Sequence, residues 1–237
     1  MNLRELQENW DNMGRRAPLT AVLTTKMSWS EEDFFETGRK EIQELIHDIE
    51  SLDQSFPRGR ALDFGCGVGR LTQSLADHYM EVVGVDIAPS MIELAEKLNR
   101  HGGRCRYVLN ERDDLSIFGC NHFDLIYSNI TLQHMEPRYA FRYINEFLRV
   151  LSTDGILVFH MPSKRTGKNT LDYLPRRASA FLQRLMLGGA MEMYGVPRNV
   201  LTEFIEDLGE EIQLIKQSSG AGPSWETYEY FVTKRSP

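Results

Sequence analysis

Cysteine is scarce in this chain of 237 residues, where Cys66, Cys105 and Cys120 stand far apart with no CxxC pair and no histidine cluster beside them. Neither a disulfide framework nor a zinc site is expected, and no metal is assigned. Long apolar runs are missing as well, so no transmembrane segment is predicted. The opening residues, Met1-Asn2-Leu3-Arg4-Glu5-Leu6-Gln7-Glu8, carry acids where a secretory leader has its apolar centre. A cytoplasmic location is therefore the expectation. Positive charge is in deficit: 27 Lys and Arg against 34 Asp and Glu leave a net charge of −7, which argues against a long nucleic acid as partner. No repeat or low-complexity stretch stands out. What is present, 41% hydrophobic and 26% charged residues, suits one α/β core with an accessory segment.

The informative signal is alternation between helical and strand periods. A short amphipathic helix is predicted near residues 2–13. Ser30-Glu31-Glu32-Asp33 resembles a capping box that opens a second helix, with Ile42, Leu45, Ile46 and Ile49 at helical spacing. Strands are predicted at 60–64, 82–86, 106–109, 123–128 and 156–160, with helices at 70–79, 89–99 and 137–151 between them. After residue 196 comes a helix over 197–208. Strands at 212–217 and 228–233 then follow one another without a helix, which predicts an antiparallel pair at a sheet edge. Alternating β and α units demand a doubly wound, mostly parallel sheet with ligands outside the carboxyl ends of its strands. The expected organisation is a helical N-terminal cap over 1–57 and a core over 58–237, with 162–196 inserted as a lid after the fifth strand.

Asp63-Phe64-Gly65-Cys66-Gly67-Val68-Gly69 lies between a strand and a helix. A glycine loop alone is weak, because many turns need residues that tolerate positive φ. The nicotinamide fingerprint wants glycine or alanine three positions after Gly67, where Arg70 stands, so the spacing disfavours that cofactor. A sulfonium cation with an amino-acid tail fits better: it can lie over Gly65, Gly67 and Gly69, with Asp63 near its ammonium group. Cys66 sits in the same turn, where a small residue fits without chemistry of its own. Asp86, at the tip of the second strand, is placed for a ribose diol. Ile87 and Met91 can flank an adenine, and residues 110–114 supply acceptors for its amine.

Leu62–Gly69, Val85-Asp86, Asn110–Leu115 and the run Tyr127-Ser128-Asn129-Ile130-Thr131-Leu132-Gln133-His134 resemble the successive motifs of class I methyltransferases. The resemblance spans about residues 58–161. It implies a seven-stranded sheet with a reversed last strand, in accord with the terminal strand pair, and S-adenosylmethionine as cofactor with S-adenosylhomocysteine as product. It further implies that Asp63, Gly65 and Gly67 meet the methionine part, Asp86 the ribose, Glu111 and Arg112 the adenine edge, and Asn129 the methionine side. An N-terminal extension often closes over the cofactor in this family, so Trp10 and Arg39 are expected at the site, although aromatics such as Trp10 also serve to dock a helix.

His134 and His160 lie at carboxyl ends of strands and are candidate bases, useful if the acceptor is a hydroxyl. A histidine at 134 is usual in the resemblance whatever the substrate, so packing competes with catalysis there. Tyr194, Trp225 and Tyr228 are expected to line the acceptor side. The lid is basic within an acidic chain: Arg176 and Arg177 would attract an anionic or glycan-linked small molecule, unless they are solvated arginines over an apolar cover. The apolar middle of the lid is where a homodimer contact would be sought. The expected activity is methyl transfer to oxygen or nitrogen of a sugar, glycan precursor or secondary metabolite. The alternatives are an NAD-dependent oxidoreductase and a cofactor-binding module without turnover.

Overall fold

The computed structural model describes residues 1–26, 28–166 and 183–235. Helix α1 (Leu3–Arg16) starts with a reciprocal cap, the Asn2 side chain taking the Glu5 amide and the Glu5 carboxylate taking the Asn2 amide. Helix α2 (Pro18–Val22) follows at once, its proline in the first turn where no amide is needed. In α3 (Glu31–Glu50) the Ser30 hydroxyl caps the Asp33 amide at 3.1 Å. One stripe of α3, running through Phe34, Ile42, Leu45 and Ile49, is buried.

From there the chain alternates: β1 (Arg60–Phe64), α4 (Arg70–Leu75), β2 (Glu81–Asp86), α5 (Pro89–Leu98), β3 (Cys105–Leu109), β4 (Phe123–Ser128), α6 (Pro137–Val150), β5 (Leu151–Arg165), α7 (Arg198–Asp207), β6 (Glu211–Ser218) and β7 (Trp225–Thr233). The seven strands form one sheet in the order β3-β2-β1-β4-β5-β7-β6. The pairs from β3 to β5 are parallel, and β7 runs antiparallel to both β5 and β6. The predicted doubly wound sheet with a reversed last strand is thus the observed one.

Two strands and one helix differ in length from expectation. Strand β5 extends over 151–165 rather than 156–160, and β7 begins at Trp225 rather than 228. The neighbouring strands are the cause: Leu151 pairs with Phe123 of β4 at one end of β5, and β7 follows the other end as far as Arg165 opposite Trp225, across a register shift between Pro162 and Lys164. Proline cannot donate to the ladder, so a shift there costs no hydrogen bond. Helix α4 is shorter than the predicted 70–79, and residues 76–79 close it as turns.

Strand alternation sends side chains to two cores. Leu62, Val83, Ile126 and Leu157 face α6 and α7, whereas Ala61, Val82, Leu125 and Val158 face α3, α4 and α5. A third cluster joins Met13 of α1, Ala21 of α2 and Phe34 of α3 to Val68 and Met91, which seats the N-terminal helices over the glycine turn. No described helix is long and apolar enough to cross a membrane.

Candidate active site

Parallel strands leave their carboxyl ends at one rim, and the crossover from β1 to α4 happens there within five residues. The turn is tight enough to need glycine: Gly65, Gly67 and Gly69 adopt φ of 80°, 52° and 82°. The Gly65 and Cys66 amides both donate to the Val85 carbonyl, at 2.8 and 3.0 Å, which folds the turn back on β2. The Gly67 amide donates to Asp86 Oδ2, and the Ala88 amide to Asp86 Oδ1, each at 2.9 Å. Burial raises the Asp86 pKa, against the pull of these amides. Each carboxylate oxygen still has a lone pair to offer.

Above this rim lies a cleft of about 310 Å³, a size usual for small-molecule sites. Its floor is the turn, with Asp86, Ile87, Met91 and Asn110 on one side and Asn129, Ile130, Thr131, Gln133, His134 and Met135 on the other. Leu3, Leu6 and Trp10 of α1, residues 21–25 at the end of α2 and just after it, and Met191 with Met193 form its roof, and residues 219–222 form an end wall. Asn9 ties the roof together: its side chain donates to the Ala190 carbonyl and accepts from the Ala190 amide, both at 2.8 Å.

Of the residues singled out from sequence, Trp10, Gly65, Cys66, Gly67, Asp86, Ile87, Met91, Asn129 and His134 line the cleft. Cys66 is buried and its thiol pKa is raised well above the usual value by burial, so it sits there as a small apolar group. Asp63 and Gly69 lie behind the lining. Asp63 is 1% exposed and accepts the Thr72 hydroxyl at 2.6 Å, and burial pushes its carboxyl up to about 7.

Other expectations are corrected. Arg39 points away, paired at 2.6 Å with Glu36 on the solvent face of α3. Glu111 accepts from Gln7 at 2.5 Å and Arg112 reaches Ser116, both at the exposed surface, while Asn110 occupies the cleft wall they were expected to share. His160 is wholly buried beneath residue 220: a Cβ on Gly220 would stand 3.0 Å from its Nε2. Neither of its ring nitrogens has a partner among the described residues. Tyr194, Trp225 and Tyr228 are not on the cleft lining. The Tyr194 and Tyr228 hydroxyls donate to Glu192 and Glu226, both at 2.5 Å, and Trp225 lies under the Arg165 guanidinium. Arg176 and Arg177 lie outside the described residues, as do Ala180, Phe181 and Leu182 of the lid's apolar middle, whereas Leu185 and Met186 are exposed.

The polar core of the site comes from residues not foreseen. Arg70, 2% exposed, lines the cleft and pairs with Glu41 of α3 at 2.8 Å. The other Glu41 oxygen accepts from Asn129 Nδ2 at 2.5 Å and lies 3.3 Å from the Tyr127 hydroxyl. That hydroxyl is also 3.4 Å from Glu229, and its one proton serves one carboxylate at a time. Burial, and then the facing Glu41 carboxylate, push Glu229 up to about 7, while Lys216 opposes.

A pH dependence follows. Glu229 ionises near 4.5 when unexposed to the fold and near 7 within it, so stability falls as pH rises through that window and levels off above it. Glu229→Gln is expected to be more stable than the parent at pH 8 by on the order of 2 kcal/mol, with little difference at pH 4.5. Urea denaturation at the two pH values measures this. An equal difference at both would show that Glu229 is not held protonated.

His134 is equally defined by its neighbours. Its Nδ1 lies 2.8 Å from the Glu192 carbonyl and its Nε2 3.1 Å from Gln133 Nε2, and burial pushes its pKa down to about 4. The ring is therefore neutral, donates from Nδ1, and has its remaining lone pair occupied by the Gln133 amide. No group of His, Cys, Asp and Glu suited to a metal ion occurs among the described residues.

Comparison with known proteins agrees with this geometry. Residues 62–159 match a family model described as a methyltransferase domain. Thiocyanate methyltransferase 1 of Brassica oleracea is 30% identical over 115 residues, 48% of this chain and 50% of that protein. The ubiquinone biosynthesis O-methyltransferase of Azorhizobium caulinodans is 29% identical over 154 residues, 63% of this chain and 55% of that protein. The chain thus spans about half the length of these curated relatives. Among solved structures, a SAM-dependent methyltransferase of Leishmania major superimposes with a TM-score of 0.70 at 16% identity, covering 98% of this chain and 82% of the other. Magnesium protoporphyrin IX methyltransferase of Synechocystis, with bound S-adenosylhomocysteine, gives 0.64 at 16% identity, covering 98% and 99%. With residues 62–159 matched over β1 to β5 and the glycine turn at the tip of β1, this chain carries a methyltransferase domain on a fold it shares with solved S-adenosylmethionine-dependent methyltransferases.

Proposed function

We propose that the protein transfers the methyl group of S-adenosylmethionine to an oxygen or nitrogen of a small organic acceptor, leaving S-adenosylhomocysteine. The observation that carries this reading is the bare backbone of Gly65 and Gly67 on the floor of a closed cleft, with Asp86 at its edge. The residues present suit that cofactor. Asp86 keeps lone pairs for a ribose diol, Ile87 and Met91 offer apolar contact to an adenine, Asn110 adds polar groups beside them, and Asn129 stands across the turn. Asp63 stands behind the turn, where it accepts the Thr72 hydroxyl of α4. When bound, the cofactor supplies an activated methyl group on a sulfonium.

The protein's own contribution is to align the acceptor and exclude water. A one-step displacement gains most from such orientation. Bound there, S-adenosylmethionine would supply the methyl group and keep the electron pair of its carbon–sulfur bond, and the acceptor's proton would pass to solvent as the product leaves the cleft. Because His134 is neutral with its lone pair already engaged, and His160 has no face on the cleft, the reading uses no histidine base. The similar proteins named above are called after quite different acceptors, so the acceptor class has to be read from this cleft.

Titration calorimetry with S-adenosylhomocysteine and, separately, NAD tests the reading. S-adenosylhomocysteine is expected to bind and to raise the melting temperature, by linkage, and NAD to do neither. Binding of NAD alone would sink the proposal.

A further inference from the structure

Two cleft-lining side chains keep a buried polar atom without a partner among the described residues, Arg70 Nε and Gln133 Oε1, and the second is an acceptor that only a donor can satisfy. Gln133, 4% exposed, sits in a single 3-10 turn over Leu132–His134, held by the Tyr194 amide donating to its backbone carbonyl at 2.8 Å. Its side-chain amide faces the His134 ring at 3.1 Å. Which end faces the ring follows from the ring's other side. His134 Nδ1 meets a carbonyl, that of Glu192, and must carry the proton there. Were Gln133 Oε1 turned to Nε2, the ring would need a second proton and a positive charge, which burial opposes. The amide nitrogen therefore donates to His134, and Oε1 is left over. It is buried, it belongs to the cleft lining, and no described residue donates to it. An amide oxygen so placed calls for a donor from whatever occupies the cleft.

The surroundings restrict that occupant. Leu6, Trp10, Ile130, Met135, Met191 and Met193 give the cleft an apolar roof and side wall. The sole Lys or Arg among the described lining residues is Arg70, already neutralised by Glu41. Among the described lining residues a carboxylate or phosphate would meet only the Nε edge of Arg70, whose charge Glu41 already balances, and an ammonium group would meet Glu41 only by displacing Arg70 and Asn129.

We infer that the methyl acceptor is a neutral, largely apolar molecule bearing a hydroxyl group, and that Gln133 orients it by accepting that hydroxyl's hydrogen bond at Oε1. This deepens the methyltransferase reading and rests on it. Gln133 is in this sense a specificity-determining residue: it accepts a hydrogen bond without removing the proton, and leaves the hydroxyl lone pairs free for the methyl carbon. A site built to pair a hydroxyl discriminates against the same body lacking it.

The test uses protein saturated with S-adenosylhomocysteine and three probes of one shape: 2-naphthol, 2-methoxynaphthalene and 2-naphthoate. Calorimetry is expected to show 2-naphthol binding about tenfold or more tighter than the methyl ether, which lacks the donor, and than the carboxylate. Gln133→Met, close in volume but without the amide, is expected to erase the preference of naphthol over ether. Equal affinity for naphthol and ether in the parent protein, preference for the carboxylate, failure of all three to bind, or unchanged discrimination in Gln133→Met would each overturn the inference. The parent comparison stands even if the variant does not fold. Failure of S-adenosylhomocysteine to bind would instead remove the reading beneath it, and is seen in the first titration.

Discussion

Gly65→Ala is expected to destabilise the protein by about 3 kcal/mol and to weaken S-adenosylhomocysteine binding by more than about 100-fold. Two costs add. Residue 65 holds φ at 80°, where a side chain costs about 1–2 kcal/mol. A Cβ there would lie 2.1 Å from Thr131 Oγ1 and 2.3 Å from its Cγ2. Thr131 cannot swing aside freely, since its hydroxyl donates to the Asn129 carbonyl at 3.0 Å. The overlap must then shift the 129–131 backbone, adding about 1–3 kcal/mol and moving the cleft wall opposite the turn. In a chain of this size the melting temperature should fall by about 6–12 °C. Gly102→Ala is the matched control. Its φ of 58° carries the same kind of strain, but nothing lies within 4 Å of the added carbon. It should cost about 1 kcal/mol and leave binding alone. Equal effects at the two positions, by thermal denaturation and calorimetry, would show that conformation alone accounts for the loss.

Glu41→Ala should be as damaging for a different reason. It removes the counter-charge of a guanidinium that is almost wholly buried, and breaking such a pair from one side costs about 3–5 kcal/mol. The low end applies, because the Glu41 side chain keeps 26% of its surface in solvent. The same change frees Asn129, so S-adenosylhomocysteine binding should weaken along with stability. Adding Arg70→Met to Glu41→Ala removes the orphaned charge and should recover part of the lost stability, with a coupling above about 1 kcal/mol in a double-mutant cycle. Additive losses in urea denaturation would mean that the two residues act separately.

These two cases also mark what sequence could and could not disclose. The glycine turn was legible because strand, turn and helix follow one another at fixed short range, and β1, β2 and β4 were placed almost to the residue for the same reason. Glu41 was within reach as well. It lies seven residues after Phe34, three after Gly38 and four before Leu45, so it is a lone charge on the buried stripe of α3. Arg39, picked instead, falls off that stripe and goes to solvent. The far end of β5 and the start of β7 could not be read locally, because each is extended by pairing with the other across some 60 residues. The state of His134 depends on a carbonyl 58 residues further on, which no spacing rule anticipates.

The place of β7 between β5 and β6 has a consequence for how the chain assembles. Strand β6 leaves the folding chain first, yet β7 is its hydrogen-bonding neighbour in the sheet, so β6 has nowhere to dock until β7 has arrived. Until then the long outer edge of β5 stays open, carrying unpaired amides and carbonyls. The parallel half can close as its own units form, whereas the antiparallel end must wait for a strand wedged between two others. Chains caught before that insertion would expose a ready-made template for pairing with one another, and the protein's hazard of aggregation during synthesis is concentrated there.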